Sequence, residues 1–250
     1  MTKLLSFIGI VTSMILLTIS PTRAQDATNA GLFSVIVSIG HEIPVSPSMR
    51  ATFQDFKSDV MFDATPRNYP FGDDRTESIS FGGQVAYRLP ATPISAVIGL
   101  RQTRFLTTVE DNSSEEARLT ITTLTFGGEY AYGEPSDMLN LYGRLGANFN
   151  WMNGRAIVNY FVPIERPINE AIRFGGEVEV GGRVNIPTLP VSIDIGVNYT
   201  NANLLGKEFT PSSIGEAPTE LNDGKNSDDP EDQPRAIDFV SLRGGIRVWL

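Results

Sequence analysis

From residue 33 onward, apolar and polar residues alternate with a period of two in eight separate runs, the pattern of strands whose two faces meet unlike surroundings. The clearest run spans 172–186. Its even positions are Ile172, Phe174, Gly176, Val178, Val180, Gly182, Val184 and Ile186, while Arg173, Glu177, Glu179, Arg183 and Asn185 occupy the odd ones with Gly175 and Gly181. Runs over 33–40, 79–89, 94–103, 139–151, 191–200 and 240–250 behave in the same way. The fourth run sets Leu124, Phe126, Gly128, Tyr130 and Tyr132 against Thr123, Thr125, Gly127 and Glu129. Leu119 and Ile121 interrupt its polar side.

The connections alternate in length. Pro90-Ala91-Thr92-Pro93, Gly133-Glu134-Pro135-Ser136-Asp137 and Pro187-Thr188-Leu189-Pro190 have turn compositions, with proline ending the ladders to which it cannot donate. The other connections, roughly 43–76, 107–117, 153–171 and 201–235, read as long polar loops. Short turns at one end and long loops at the other, with both termini on the short side, require an even number of strands in an up-and-down arrangement. Phe81-Gly82-Gly83, Phe126-Gly127-Gly128 and Phe174-Gly175-Gly176 recur on even-numbered strands, joined by Arg243-Gly244-Gly245. Glycine weakens a strand unless the sheet bends sharply, so the repeat predicts curvature.

The polar faces carry Arg88, Arg101, Glu129, Arg144, Arg173, Glu177, Glu179, Arg183, Asp194, Arg243 and Arg247, and no lysine. Mixed arginines and carboxylates suit a narrow lumen crossed by ion pairs better than an aqueous exterior, because the planar guanidinium is the better buried partner. Tyr87, Tyr130 and Tyr132 lie near the short turns, and Phe149, Trp151 and Tyr199 near the long loops, as two interfacial belts would. The expected architecture is all-β: an eight-stranded antiparallel transmembrane barrel with a polar lumen, short periplasmic turns and long extracellular loops. A soluble ligand-binding barrel would place the apolar face inward instead.

Residues 1–24 read as an export signal: Lys3, an apolar stretch from Leu4 to Leu17, Pro21, and small residues at Thr22 and Ala24 before a cut ahead of Gln25. The barrel domain then covers 25–250. The 250-residue chain has 20 basic and 29 acidic residues, a formal charge of −9. Without residues 1–24, 18 basic residues face 29 acidic ones, giving −11. So acidic a chain lacks the basic surface that nucleic acid requires. With no cysteine and a single histidine, thiol chemistry, disulfides and a lipidated cysteine are excluded, and no cofactor is expected. The histidine, His41, ends the first run near the rim, with Ser46 and Ser48 close by in sequence. Nothing marks either serine as a nucleophile, so His41 reads as an interfacial polar residue. The loop over 201–235 is rich in Asp and Glu but lacks the spacing of a Ca²⁺ loop, and reads as a solvated, flexible segment. The first long loop carries Phe53, Phe56, Met61, Phe62, Tyr69 and Phe71, unusually apolar for a free loop.

The chain resembles the OmpA/OmpX-type eight-stranded outer-membrane barrels over about 30–250. Its last strand carries the sharpest match, with Arg243, Gly245, Val248 and Leu250 filling a C-terminal assembly signal of polar, glycine, hydrophobic and hydrophobic positions. Leu250 stands where an aromatic is usual, and Trp249 lies one place early. The resemblance implies residence in the bacterial outer membrane, contact with its lipid and with the barrel-assembly machinery, and a chain ending without a peptidoglycan-binding module. An eight-stranded lumen is about filled by side chains. The expectation is therefore a monomeric, non-catalytic protein closed by Arg–carboxylate pairs, with a structural or surface-interaction role and an extracellular ligand at its long loops. The alternatives are a small-solute channel and a lipid-modifying outer-membrane enzyme.

Overall fold

In the computed structural model, residues 33–45, 74–109, 116–133, 137–159, 163–208, 221, 223–224 and 234–250 are described. Each alternating run is a strand: β1 (Phe33–Pro44), β2 (Asp74–Arg88), β3 (Ile94–Val109), β4 (Glu116–Tyr132), β5 (Leu139–Asn159), β6 (Pro163–Asn185), β7 (Val191–Leu205) and β8 (Asp238–Trp249). Sequential strands pair antiparallel and β8 pairs with β1, closing a barrel. The closure is staggered. The hydrogen-bonded row from Ser34 through Ala86, Val97, Gly127, Gly146, Glu177, Thr200 and Phe239 returns to β1 at Pro44, ten residues further along. Such a stagger tilts the strands by about 40° to the barrel axis and leaves an interior that side chains can fill.

The turn after β2 and the turn after β6 are built alike. Leu89 N–H bonds the Ile94 carbonyl at 2.9 Å, and Ile186 N–H bonds the Val191 carbonyl at 3.0 Å. Each turn holds a non-glycine residue at positive φ, Ala91 at 58° and Thr188 at 74°. The Phe-Gly-Gly repeat places one glycine inward where strands press together. A Cβ on Gly127 would collide with the Leu145 carbonyl, and one on Gly175 with that of Asn201.

Strands run further into the expected loops than their alternation suggests. The 153–171 connection is mostly a ribbon of β5 and β6, pairing up to Asn159 and Pro163, so only 160–162 separate the two strands. The 107–117 connection likewise shrinks to 110–115. These corrections share one cause. Toward the loop end the inside of the barrel becomes apolar and the outside polar, so the alternation persists with its sign reversed. Leu119 and Ile121, which broke the fourth run, point inward into a cluster with Phe105, Met152, Leu221 and Phe239. Phe105 and Phe239 meet edge to face at 5.3 Å. Outward, Leu100 and Leu124 give way to Gln102 and Thr122 on the next row.

Below that level the barrel is inside out. Exposed Ile39, Phe81, Ile98, Phe126, Leu145, Val180, Ile195 and Leu242 represent an apolar belt running round all eight strands, while arginines and carboxylates fill the interior. Tyr130 and Tyr132 lie at its turn end, where Phe33 and Tyr87 stack at 4.8 Å. At the loop end Phe149 contacts Trp151 at 4.5 Å and Phe174 at 4.9 Å. Belt and girdles are what a strand bundle requires in hydrocarbon, where every backbone group must be paired internally.

Candidate functional site

The alternation that puts β4, β5, β6, β7 and β8 apolar residues outward points their odd or even polar partners at one axis, and these meet in a stacked ion network. At the turn end, Glu129 of β4 is the hub. Its Oε1 accepts from Arg183 Nη2 at 2.7 Å, and its Oε2 accepts from Arg144 Nη2 at 2.6 Å and Arg247 Nη2 at 2.7 Å. Asp194 accepts from Arg183 Nε at 3.1 Å and from Arg247 Nε at 3.0 Å. Beneath them the Trp249 ring faces the guanidinium carbons of Arg183 and Arg247 at 5.4 and 5.3 Å, and its Nε1 donates to Ser192 Oγ at 3.2 Å.

The next tier centres on Glu179, which accepts from Arg144 Nη1 at 3.1 Å, Arg243 Nη1 at 3.0 Å and the Tyr142 hydroxyl at 2.9 Å. Above it Glu177 accepts from Arg101 Nη2 at 3.1 Å and lies 3.8 Å from Arg243 Nη2. The members of the network are buried, which makes each geometry expensive to disturb, because removing one partner strands a charge away from water. A cavity of about 20 Å³, room for about one water, remains beside Gln84, Tyr142, Arg144, Glu179 and Arg243.

A layer of neutral polar groups follows. Thr123 donates to Asn150 at 2.7 Å, Thr125 to Asn148 at 3.0 Å, and Ser241 bonds Glu42. Above lies the apolar cluster, and within it a separate ion pair. Arg173 Nε and Nη2 grip Asp223 of the 206–237 connection at 3.0 and 2.9 Å, and Asn203 Nδ2 donates to the same carboxylate at 2.8 Å. Asp223 and Leu221 are thereby buried within the barrel mouth.

Nine of the eleven predicted charged residues thus belong to one network: Arg101, Glu129, Arg144, Glu177, Glu179, Arg183, Asp194, Arg243 and Arg247. Arg173 belongs to the upper pair instead. Arg88 departs from the expectation: it lies at the turn end, where its Nε donates to the Thr92 carbonyl at 3.1 Å. The acidic loop also departs from it, since Asp223 is fully buried and paired, although most of 209–233 lies outside the described residues. Glu42 is a missed member of the interior; it sits at the polar parity of β1, and extending the first run two residues past Gly40 would have found it. Tyr142, on the polar face of the fifth run, joins the network through its hydroxyl.

His41 points outward and is exposed. Its Nδ1 donates to the Ser78 carbonyl at 3.0 Å, and the adjacent Glu42 faces the opposite side, into the lumen. Ser46 and Ser48, residues 1–24 and the aromatics of the first long loop lie outside the described residues. Among the described residues no group of three or more His, Asp or Glu side chains is arranged to hold a metal ion.

No protein-family model matches the sequence, and no curated protein matches it. Among solved structures, the chain is similar to Neisserial surface protein A, with 14% identity over 87% of this chain and 97% of that one and a TM-score of 0.44. It is also similar to a major outer membrane protein from Thermus thermophilus, with 11% identity, coverage of 87% and 99%, and a TM-score of 0.46. The attachment invasion locus protein Ail of Yersinia pestis gives 12% identity, coverage of 88% and 97%, and a TM-score of 0.42. The closed eight-strand ladder, its ten-residue stagger and its inside-out polarity decide the fold by themselves: the chain is an eight-stranded β-barrel of the outer-membrane type.

Proposed function

We propose that this protein resides in the bacterial outer membrane as a monomeric, non-catalytic barrel that is closed to solutes and works through its outer surface. One observation carries the reading. Among the described residues, the interior carries in succession the Trp249-floored ion network, the amide and hydroxyl layer, and the apolar cluster that includes Leu221 of the last connection. A solute would have to part several buried Arg–carboxylate contacts and then an apolar layer, and each step is costly. The expected long connections shorten to 45–73, between β1 and β2, and 206–237, between β7 and β8, and they are where an extracellular ligand would be met.

On this reading residues 1–24 direct export and are removed, and Arg243, Gly245, Val248 and Leu250 present β8 to the barrel-assembly machinery. Val248 and Leu250 share the outward face of β8, while Arg243 is turned into the lumen. Thus Arg243 would be read during assembly and become a network member afterwards.

The reading is tested by reconstituting the full mature chain in planar bilayers. A folded protein that migrates faster unboiled than boiled in SDS and shows no ordered single-channel steps is the expected result. Steady conductance would replace it with the small-solute channel.

A further inference from the structure

At the loop end of the apolar belt, the outward face of β3 and β4 turns polar. The hydrogen-bonded rows read Phe81–Gln102–Thr122–Trp151 and, one pair nearer the loops, Ile79–Arg104–Thr120–Asn153. Two polar strands therefore stand between apolar walls, Phe81 and Ile79 on β2 and Trp151 on β5. Arg104 is exposed in this notch, its Nη2 held by Gln102 Oε1 at 3.2 Å. The following row sets Arg118 of β4 directly beside Arg155 of β5, each also engaged elsewhere in the chain. Below the notch the surface turns apolar at once, through Leu100 and Leu124 to Ile98 and Phe126 and then to the small Ala96 and Gly128.

The height of the notch matters. It lies where the apolar belt ends and the aqueous exterior begins, the depth at which lipid headgroups stand. Arginine is the side chain best fitted to phosphate at such a boundary, since its planar donors meet the oxygens in pairs.

We propose that the notch seats the phosphate-bearing headgroup of an outer-leaflet lipid. Arg104 contacts the phosphate, and the acyl chains descend along Leu100, Leu124 and the shallow track at Ala96 and Gly128. The inference rests on the outer-membrane reading given above.

The test is lipid retention by native mass spectrometry, on full-length mature protein released from phosphatidylcholine nanodiscs doped with diphosphoryl lipid A or with its dephosphorylated form. The wild type should retain the phosphorylated lipid preferentially. Arg104→Gln should reduce that preference by roughly fivefold, the weight of one arginine at a charged membrane surface, and Arg104→Lys by less. Both variants should keep the faster unboiled mobility in SDS, because Arg104 takes no part in the lumenal network. Equal retention of the two lipids, or an undiminished preference in Arg104→Gln, overturns the proposal. Displacement of the lipid by millimolar inorganic phosphate also overturns it, in favour of a site for the free anion. Failure of the wild type to enter nanodiscs at all would instead sink the outer-membrane reading, and this inference with it.

Discussion

The Tyr142 hydroxyl lies against the bare backbone of Gly181, 2.6 Å from the place a Cβ would occupy, and 2.8 Å from the corresponding place on Gly196. Two glycines on β6 and β7 thus make the slot through which the ring reaches Glu179. The same ring carries Arg144 and Arg183 over its face, at 5.4 and 5.3 Å from their guanidinium carbons. The slot is specific because a methyl group on either glycine must displace the tyrosine and, with it, two arginines of the network.

Gly196→Ala, whose Cβ would meet the Tyr142 hydroxyl first, should therefore destabilise the barrel by about 1–3 kcal/mol, the usual cost of overpacking. Tyr142→Ala should absorb much of that penalty. A double-mutant cycle from urea unfolding in lipid vesicles should give a coupling of about 0.5–3 kcal/mol, and strict additivity would show that the two residues do not touch.

Glu129 accepts from three arginines at once, so its charge holds the floor of the lumen together. Glu129→Gln keeps the shape and removes the charge. A loss of about 3–5 kcal/mol in vesicle unfolding is expected, because three buried guanidiniums then share Asp194 and Glu179 alone. A change below about 1 kcal/mol would mean that water already screens the site.

The latch between Arg173 and Asp223 ties the last connection to β6. Asp223→Asn should leave the heat-modifiable gel mobility unchanged while speeding limited proteolysis between 206 and 237 several-fold, since only the anchor of the connection is lost. Unchanged cleavage would show that Leu221 alone suffices to hold it.

Because the chain has no cysteine, single-cysteine variants report polarity cleanly. Thr120→Cys and Thr122→Cys should react with a membrane-impermeant maleimide in proteoliposomes, whereas Phe126→Cys and Leu145→Cys should not. Labelling of all four would place the membrane edge elsewhere, and the reversal of polarity between Leu124 and Thr122 would lose its meaning.

Thr188 holds φ at 74° in a short turn, a conformation that suits a β-branched residue poorly. Thr188→Gly should stabilise the barrel by about 1 kcal/mol, read as a higher urea midpoint with unchanged slope.

Much of this was legible in the chain because a strand in a two-faced environment writes its orientation into every residue. The run over 172–186 announces β6, its outward face and its four lumenal charges without any partner. What the run could not convey was where the surroundings change. Leu119 and Ile121 read as interruptions of a polar face, yet their orientation is regular; it is the interior that turns apolar at their height. The same reversal hid the ribbon of β5 and β6 beyond residue 153.

The sequence by itself determined the number of strands, their order and which face of each strand is charged, since all of these follow from a period-two pattern and from proline-rich turns. Only the tertiary structure decided which charges meet. Glu129 finds Arg144, Arg183 and Arg247 because the ten-residue stagger of the closed barrel brings β4, β5, β6 and β8 to one level at the axis. Arg173 and Asp223, 50 residues apart, pair because a connection folds back into the mouth. Alternation is local and is written along the chain, whereas register and closure belong to the whole ladder.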